Sequence, residues 1–351
     1  MIEIDGSYGE GGGQVLRTSV ALAAVLSLEI RVFNIRAGRA EPGLRPQHMT
    51  GVKAAAGLCA AELKGCEVGS TELIFRPREF RDGIFRFDVG TAGSITLVLQ
   101  TIMPILPFAS GDVHVEITGG TDVKWSPPID YVGLVMLPIL RKVGYRAILE
   151  TLRRGHYPKG GGLVQLSTSQ VSKLRPMIGK TSGSVLKIDG VSHARGLPKH
   201  VATRQAASAT KQIRDAKLPN PSIVLDVKEE RALLGQGSGI ILYAQTVDGG
   251  ILGADCLGDR GRPAEDVGLT AGKILLEEVG SGANLDRHMG DMIVPYLVLA
   301  EGASEVSISR VTKHTLTNVK VAEWLTGTKF ELQGELDHPG RLRVSGIGLA
   351  S

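Results

Sequence analysis

Apolar positions along this chain follow two rhythms that keep exchanging places. Residues 14–27 are apolar nearly all round and predict a helix, and residues 29–34 predict a strand. A second helix is expected over 46–62, with Pro46 at its first position, where a missing N–H does no harm. Strands follow at 72–75 and at 85–89, the latter alternating apolar and polar. The order then returns: helix 91–103, strand 113–117, a helix opened by Ser126-Pro127-Pro128 and running to 143, and strands 145–150 and 163–166. It returns again near the C-terminus as helix 289–300, strand 305–309, helix 316–327 and strands 329–333 and 341–344. This predicts three αβ units, each a small sheet with two helices on one side.

Between the second and third units lies a stretch with its own complete pattern. Strands are expected at 184–189, 222–228 and 239–247, and helices at 200–217 and 263–279, with Pro263 at the start of the last and Gly280 just past its end. The fold class expected is α/β of the α+β type: three repeated αβ units plus an inserted small α/β domain. Residues 1–182 hold the first two units, 183–281 the insert and 282–351 the third unit. Inserting a folded unit at a surface loop costs the host little.

Composition narrows the class. With 351 residues, 42% hydrophobic and 22% charged, the chain is neither disordered nor collagen-like. Its longest apolar runs, such as residues 20–28, fall well short of the ~20 needed to span a bilayer. Residues 1–5 lack the basic and apolar regions of a secretory signal, so a cytoplasmic protein with no membrane partner is expected. A net charge of +4 is too small to argue for nucleic acid by itself, and local arginine clustering matters more. The three cysteines, Cys59, Cys66 and Cys256, make neither a disulfide framework nor a zinc site; Cys59 and Cys66 are open to pairing in an oxidising or hyperthermophilic cell, with two separate buried thiols the plainer reading. Glycine, at 46 residues, is in surplus and clustered.

Those clusters carry the candidate chemistry. Gly9-Glu10-Gly11-Gly12-Gly13-Gln14 leads straight into a helix, offering free N–H groups and a positive dipole end to a phosphate. A tight strand-to-helix turn is the plainer reading of the same residues. Glu10 within such a cradle calls for a divalent cation between it and the ligand. Arg17, one turn into the apolar helix, either snorkels to the surface or points a cation at the helix start. Arg36, Arg39 and Arg45 punctuate a Gly- and Pro-containing loop ending in Gln47-His48, and such a loop presents guanidinium forks to phosphate oxygens or stands as a solvated basic loop. Gln100 is polar where a leucine is expected, and Gly119–Pro128 and Arg154–Gly162 are too elaborate for simple turns. His314 is placed just after a strand and just before a helix, the mouth at which α/β sites form. A neutral imidazole there can attack phosphorus or act as a general base. Asp291, near His288, reads as a metal or ribose contact or as N-terminal helix charge.

Taken together, the glycine run at 9–14, the loop 36–48, Gly93-Ser94 with Gln100, Arg154-Gly155-x-x-Pro158-x-Gly160-Gly161-Gly162-x-Val164, and His314 with Thr317-Asn318 resemble the RNA 3′-terminal phosphate cyclases. The likeness spans essentially the whole chain and keeps five motifs in order. It implies three repeated αβ units with a smaller inserted domain, ATP as co-substrate, Mg²⁺ or Mn²⁺, and an RNA bearing a 3′-phosphate as partner. It also implies a cycle in which His314 takes AMP from ATP, passes it to the RNA 3′-phosphate, and the neighbouring 2′-OH closes a 2′,3′-cyclic phosphodiester. Arg17, Arg36 and Arg39 would balance phosphate charge, with the metal near Glu10. Gln14, Gln47 and His48 would place the RNA end, while Gln100, Pro127, His288, Met289, Gly290, Asp291 and Met292 would line the nucleotide pocket. Two positions depart from the pattern: His288 stands where a tyrosine is familiar, and Lys313 where a cysteine is. An ammonium at Lys313 is expected to depress the His314 pKa. Two other readings compete, a non-catalytic cyclase-like protein of ribosome assembly and an enolpyruvyl-type transferase built on similar repeats. Oligomeric state is left open.

Overall fold

The computed structural model describes residues 1–179, 181–229 and 235–350. Three sheets share one connectivity. In the first unit β1 (Ile2–Asp5), α1 (Gly13–Val25), β2 (Ile30–Phe33), α2 (Pro46–Leu58), β3 (Glu62–Lys64) and β4 (Leu73–Arg76) form a sheet of order β1-β2-β4-β3, its first pair parallel and the others antiparallel. The second unit repeats this with β5 (Gly83–Asp88), α3 (Ile95–Ile102), β6 (Val113–Gly119), α4 (Ile129–Tyr131), a π-helical turn at Val132–Met136, α5 (Leu137–Lys142), β7 (Ala147–Arg153) and β8 (Gly162–Thr168), in order β5-β6-β8-β7.

The third unit is interrupted. After β9 (Ile178–Gly179) the chain builds a separate sheet from β10 (Val185–Arg195), α6 (Lys199–Asp215), β11 (Ser222–Lys228), β12 (Gly237–Thr246), β13 (Ile251–Leu257) and α7 (Ala264–Gly280), in order β11-β10-β12-β13. It then returns through α8 (Arg287–Met292), α9 (Val294–Leu299), β14 (Glu301–Ile308), α10 (Lys313–Thr326), β15 (Phe330–Gln333) and β16 (Gly340–Ile347), closing a sheet of order β9-β14-β16-β15. The interruption falls between the first strand and the first helix of that unit. Pairing of Ile178 and Gly179 with Glu305 and Val306 ties the two halves together.

One core runs through the three repeats. A second, smaller one, including Ile188, Ile213, Ile240, Leu242, Val267 and Leu275, lies within the separate sheet and its helices. Helix α1 packs against α2, α3 and α10, so every residue from Val15 to Val25 is buried. A helix apolar on all sides belongs at such a centre.

Several boundaries differ from the sequence reading for local reasons. Helix α3 begins at Ile95, because the Ser94 hydroxyl accepts from Leu97 N (3.2 Å) and leaves 91–94 as loop. Helix α2 stops at Leu58, since Ala60 adopts a φ of 46°, and Glu62 starts a strand instead. The helix expected over 289–300 is two helices, with Pro295 in the first turn of α9. The short strands β3 and β9 and the strand β13 carried no signal that was read. Among the described residues no helix is long and apolar enough to cross a membrane, and all three cysteines are free.

Candidate active site

The loop from β1 to α1 is shaped by its own groups and roofed by other elements. Asp5 Oδ1 accepts from Ser7 N (2.9 Å) and Ser7 Oγ (2.7 Å). At Gly11 the backbone takes a φ of 56°, where a side chain would be strained. A Cβ at Gly13 would strike His48 Nε2 and sit 3.0 Å from Arg17 Nη1, and one at Gly12 would sit 2.9 Å from Arg39 Nη2. The glycines are therefore the surface on which His48, Arg17 and Arg39 converge.

Arg17 does not snorkel. It is 9% exposed, donates to Gln14 Oε1, and has an Nε with no hydrogen-bond partner among the described residues. Burial pulls its pKa down to about 10. A desolvated guanidinium with only neutral neighbours is costly unless an anion joins it. His48 is buried as well, and burial together with Arg17, Arg36 and Arg45 pulls its pKa down to about 3. Since Arg45 N donates to His48 Nδ1 (3.1 Å), the neutral ring carries its proton on Nε2, the atom facing Gly13. Arg36 spends Nη1 on the carbonyls of Glu41 (2.7 Å) and Gly43 (2.9 Å), holding the loop's shape. Arg39 lies exposed, 3.4 Å from Glu10. Gln47 Oε1 accepts from Ser94 N (2.9 Å), joining the starts of α2 and α3.

His314 lies in the first turn of α10 and not ahead of it, because Thr312 caps that helix and shares a reciprocal capping box with Thr315. Beneath it, Asp291 Oδ1 accepts from Thr312 Oγ1 (2.5 Å) and Thr315 Oγ1 (2.6 Å). Asn318 extends the frame: Nδ2 donates to Asp291 O (2.7 Å), and Oδ1 accepts from Thr18 Oγ1 (2.6 Å) and Gln14 Nε2 (2.9 Å). Glycine loop and histidine helix are thus one hydrogen-bonded body. The His314 side chain is 41% exposed, with Nε2 3.5 Å from Glu10 Oε2. Partial burial lowers its pKa from the ordinary value, Glu10 opposes, and Arg17, Arg39 and His288 add to the lowering. Lys313 is exposed, and the cations that add to the lowering are Arg17 and Arg39 rather than the lysine expected to do so.

Asp291 is not helix N-terminal charge. It lies in the last turn of α8, and Asp286 caps that helix by accepting from His288 N and Met289 N (both 2.9 Å). Burial pushes the Asp291 carboxyl up to about 7. Elsewhere among the residues expected at the nucleotide, Gln100 Nε2 reaches Met292 Sδ (3.0 Å), Thr96 Oγ1 donates to Pro127 O (2.8 Å), and the His288 ring meets Tyr131 edge-on at 5.8 Å. Met289 is fully buried and Gly290 packs on Ile308, so both face the core. Thr312 and Thr315 went unread, although Thr-x-x-Thr before an apolar run is a capping signal. Thr18 and Asp286, read only as parts of apolar or mixed runs, were missed too.

The Arg154–Gly162 segment supports the site through its backbone. Its Gly160 packs on Thr91 and Ala92, buttressing the 91–94 loop, while Arg154 is buried among Asp122, Asp130 and Asp226.

Fold and site together define an α+β protein in which a glycine loop at a helix start, a desolvated arginine and a half-buried imidazole converge. Residues 8–332 match the family described as RNA 3′-terminal phosphate cyclase. A protein named RNA 3′-terminal phosphate cyclase from Ignicoccus hospitalis is 50% identical over 350 residues, covering 99% of each chain. One of the same name from Hyperthermus butylicus is 49% identical over 99% of this chain and 98% of its own, and one from Pyrococcus abyssi 46% identical over 98% of each. This chain belongs to the RNA 3′-terminal phosphate cyclase family. A match to the solved enolpyruvyl transferase NikO from Streptomyces tendae, covering 99% of this chain and 82% of that one, has 11% identity and a TM-score of 0.28, too low to bear on the fold.

Proposed function

We propose that the protein uses ATP to convert an RNA 3′-phosphate into a 2′,3′-cyclic phosphodiester, with His314 as the transient carrier of AMP. His314 attacks the α-phosphorus of ATP. An N–P bond forms, the bond to the β-phosphate oxygen breaks, and pyrophosphate leaves. An oxygen of the RNA 3′-phosphate then attacks the same phosphorus, breaking the N–P bond and restoring the imidazole. Finally the vicinal 2′-oxygen attacks the activated 3′-phosphorus, its proton is lost, and AMP departs. A phosphate dianion has no good leaving group until adenylylation supplies one, and the last step gains from being intramolecular.

The observation that carries this reading is the position of His314: half exposed, pKa lowered, its helix start locked by Asp291 and its ring directed at the glycine loop. A neutral ring is the nucleophilic form. Arg17 and Arg39 supply positive charge where triphosphate and RNA phosphate would crowd, and His48 Nε2–H offers a donor at the same place. Arg36 acts by shaping the loop that presents Arg39. Gln14 and Gln47, fixed to Asn318 and Ser94, border the space in which the RNA end would lie. Gln100, Pro127, His288 and Met292 are proposed for the nucleotide, with Asp291, Met289 and Gly290 shaping its wall from behind. Glu10 suits Mg²⁺ or Mn²⁺, which take few protein carboxylates and several phosphate oxygens; when bound, such an ion would neutralise phosphate charge. Residues 183–281, with their own small core, are read as an inserted domain between 1–182 and 282–351. The experiment is His314→Ala, assayed for capture of α-labelled AMP and for cyclisation of a 3′-phosphorylated oligonucleotide. Both should vanish with the fold intact; retained AMP capture would overturn the proposal.

A further inference from the structure

The Arg154–Gly162 segment also takes part in a second cluster of titratable groups. Asp122 follows β6, His156 lies between β7 and β8, and His193 stands on β10, so the second unit and the separate sheet meet there. All three are buried, and one ligand atom from each lies within 4.8 Å of the others. His193 Nε2 is 3.8 Å from Asp122 Oδ1, and the two imidazoles stack with centroids 5.4 Å apart. Neither His156 Nε2 nor His193 Nε2 has a hydrogen-bond partner among the described residues. Two orphaned imidazole nitrogens beside one carboxylate are expensive unless something joins them.

Charge points the same way. Arg154 bonds Asp122 (3.2 Å), Asp130 (2.6 Å) and Asp226 (3.0 Å), and Arg195 bonds Asp226 (2.6 Å). Among the described residues of this cluster, three carboxylates therefore face two guanidiniums. Space for the rings is made by glycines of β12: a Cβ at Gly237 would overlap the His156 ring, and one at Gly239 would come within 2.9 Å of His193 Cε1.

We propose that Asp122, His156 and His193 form a divalent transition-metal site, of the zinc class, that clasps the inserted sheet to the second repeat. Two imidazoles and a carboxylate suit a four-coordinate ion with water as the last ligand. Bonds of roughly 2.1 Å place donor atoms about 3.4 Å apart, so the ligands close inward on binding. His156 Nε2 has no partner, so the ring's hydrogen bond with the Asp122 backbone involves Nδ1 and leaves Nε2 to ligate. Arg154 grips Asp122 from behind while two further carboxylates offset its charge.

Co²⁺ is the probe. Full-length protein stripped with a chelator is titrated with Co²⁺, in wild type and in Glu10→Gln, which weakens any ion in the catalytic cleft. Both should bind one equivalent with the visible absorption of a four-coordinate imidazole site. Zn²⁺ should displace it and raise the unfolding midpoint by several degrees. His193→Gln should lose the bands and the shift, and His156→Asn repeats the test if that variant does not fold. Absence of the visible bands in the stripped Glu10→Gln protein, or their persistence in a folded His193→Gln variant, would overturn the proposal.

Discussion

Two sites in this molecule are assembled from the same residue types and behave as opposites. Around His314, an imidazole, two arginines and a carboxylate are arranged loosely: Arg39 and Glu10 are 3.4 Å apart, Glu10 and His314 3.5 Å, and all three side chains remain partly exposed. Around Arg154 the guanidinium is 5% exposed and makes bonds to three carboxylates. Water screens the first set, and its members can exchange their partners for a substrate. The second set is anchored on a buried guanidinium, and its charges are held against one another. Residue type alone therefore does not separate a catalytic cluster from a structural one; burial and partner satisfaction do.

The largest contrast should come from removing one arginine from each. Arg154→Ala strands buried carboxylates and should reduce unfolding free energy by about 3–5 kcal/mol in denaturant titration. Arg39→Ala should change it by less than about 1 kcal/mol, as expected of an exposed pair, while slowing AMP capture. Equal losses of stability would erase the distinction drawn between the sites.

Next is Asp291, which belongs to the cleft but resembles Arg154 in its burial. Asp291→Ala removes the acceptor shared by the Thr312 and buried Thr315 hydroxyls and should cost about 1–3 kcal/mol. Asp291→Asn keeps an acceptor oxygen and supplies a pH test. The folded carboxyl titrates near 7, above its unfolded value. The native state therefore holds that proton more tightly, and the stability it contributes at low pH is lost as pH rises to about 7. The melting temperature of Asp291→Asn relative to wild type should thus improve from pH 4 to pH 7.5; a constant difference would contradict the assignment.

Gly13→Ala tests the cleft alone. Its methyl would strike His48 and crowd Arg17. AMP capture should fall at least tenfold, or about 1.4 kcal/mol of barrier, with little change in overall stability. The smallest effect is on the pH profile of adenylylation. The rate should rise with pH through a midpoint below that of free histidine and then level off. Arg39→Met should move the midpoint upward, Glu10→Gln downward, and Lys313→Ala should leave it in place.

How far the sequence disclosed this arrangement follows from the range of the forces involved. The three repeats were legible because their helices and strands are local amphipathic patterns, and the shared sheet order is the tertiary consequence. The two-residue strand β9 was not, since two residues carry no periodicity and exist as a strand only through pairing with Glu305 and Val306. Glu10 and Arg17 could be picked out because each breaks a glycine-rich or apolar context, His48 because it closes an arginine-bearing loop, and His314 because it lies between a strand and a helix. The frame that positions them could not: Asn318 bonds Thr18 across 300 positions, and threonines within helices give no sign of the acceptor they will meet. Arg154–Gly162 shows the converse. Its density of charge and glycine suggested chemistry, but burial of Arg154 turns it into a brace.

The measurement that bears most directly on the whole account is the location of the adenylate. Protein incubated with α-labelled ATP and Mg²⁺, quenched at alkaline pH and digested, should carry AMP on a single peptide containing His314. The bond should be acid-labile and discharged by a 3′-phosphorylated oligonucleotide. Label on any peptide lacking that histidine, with His314→Ala labelled as readily as wild type, would contradict it.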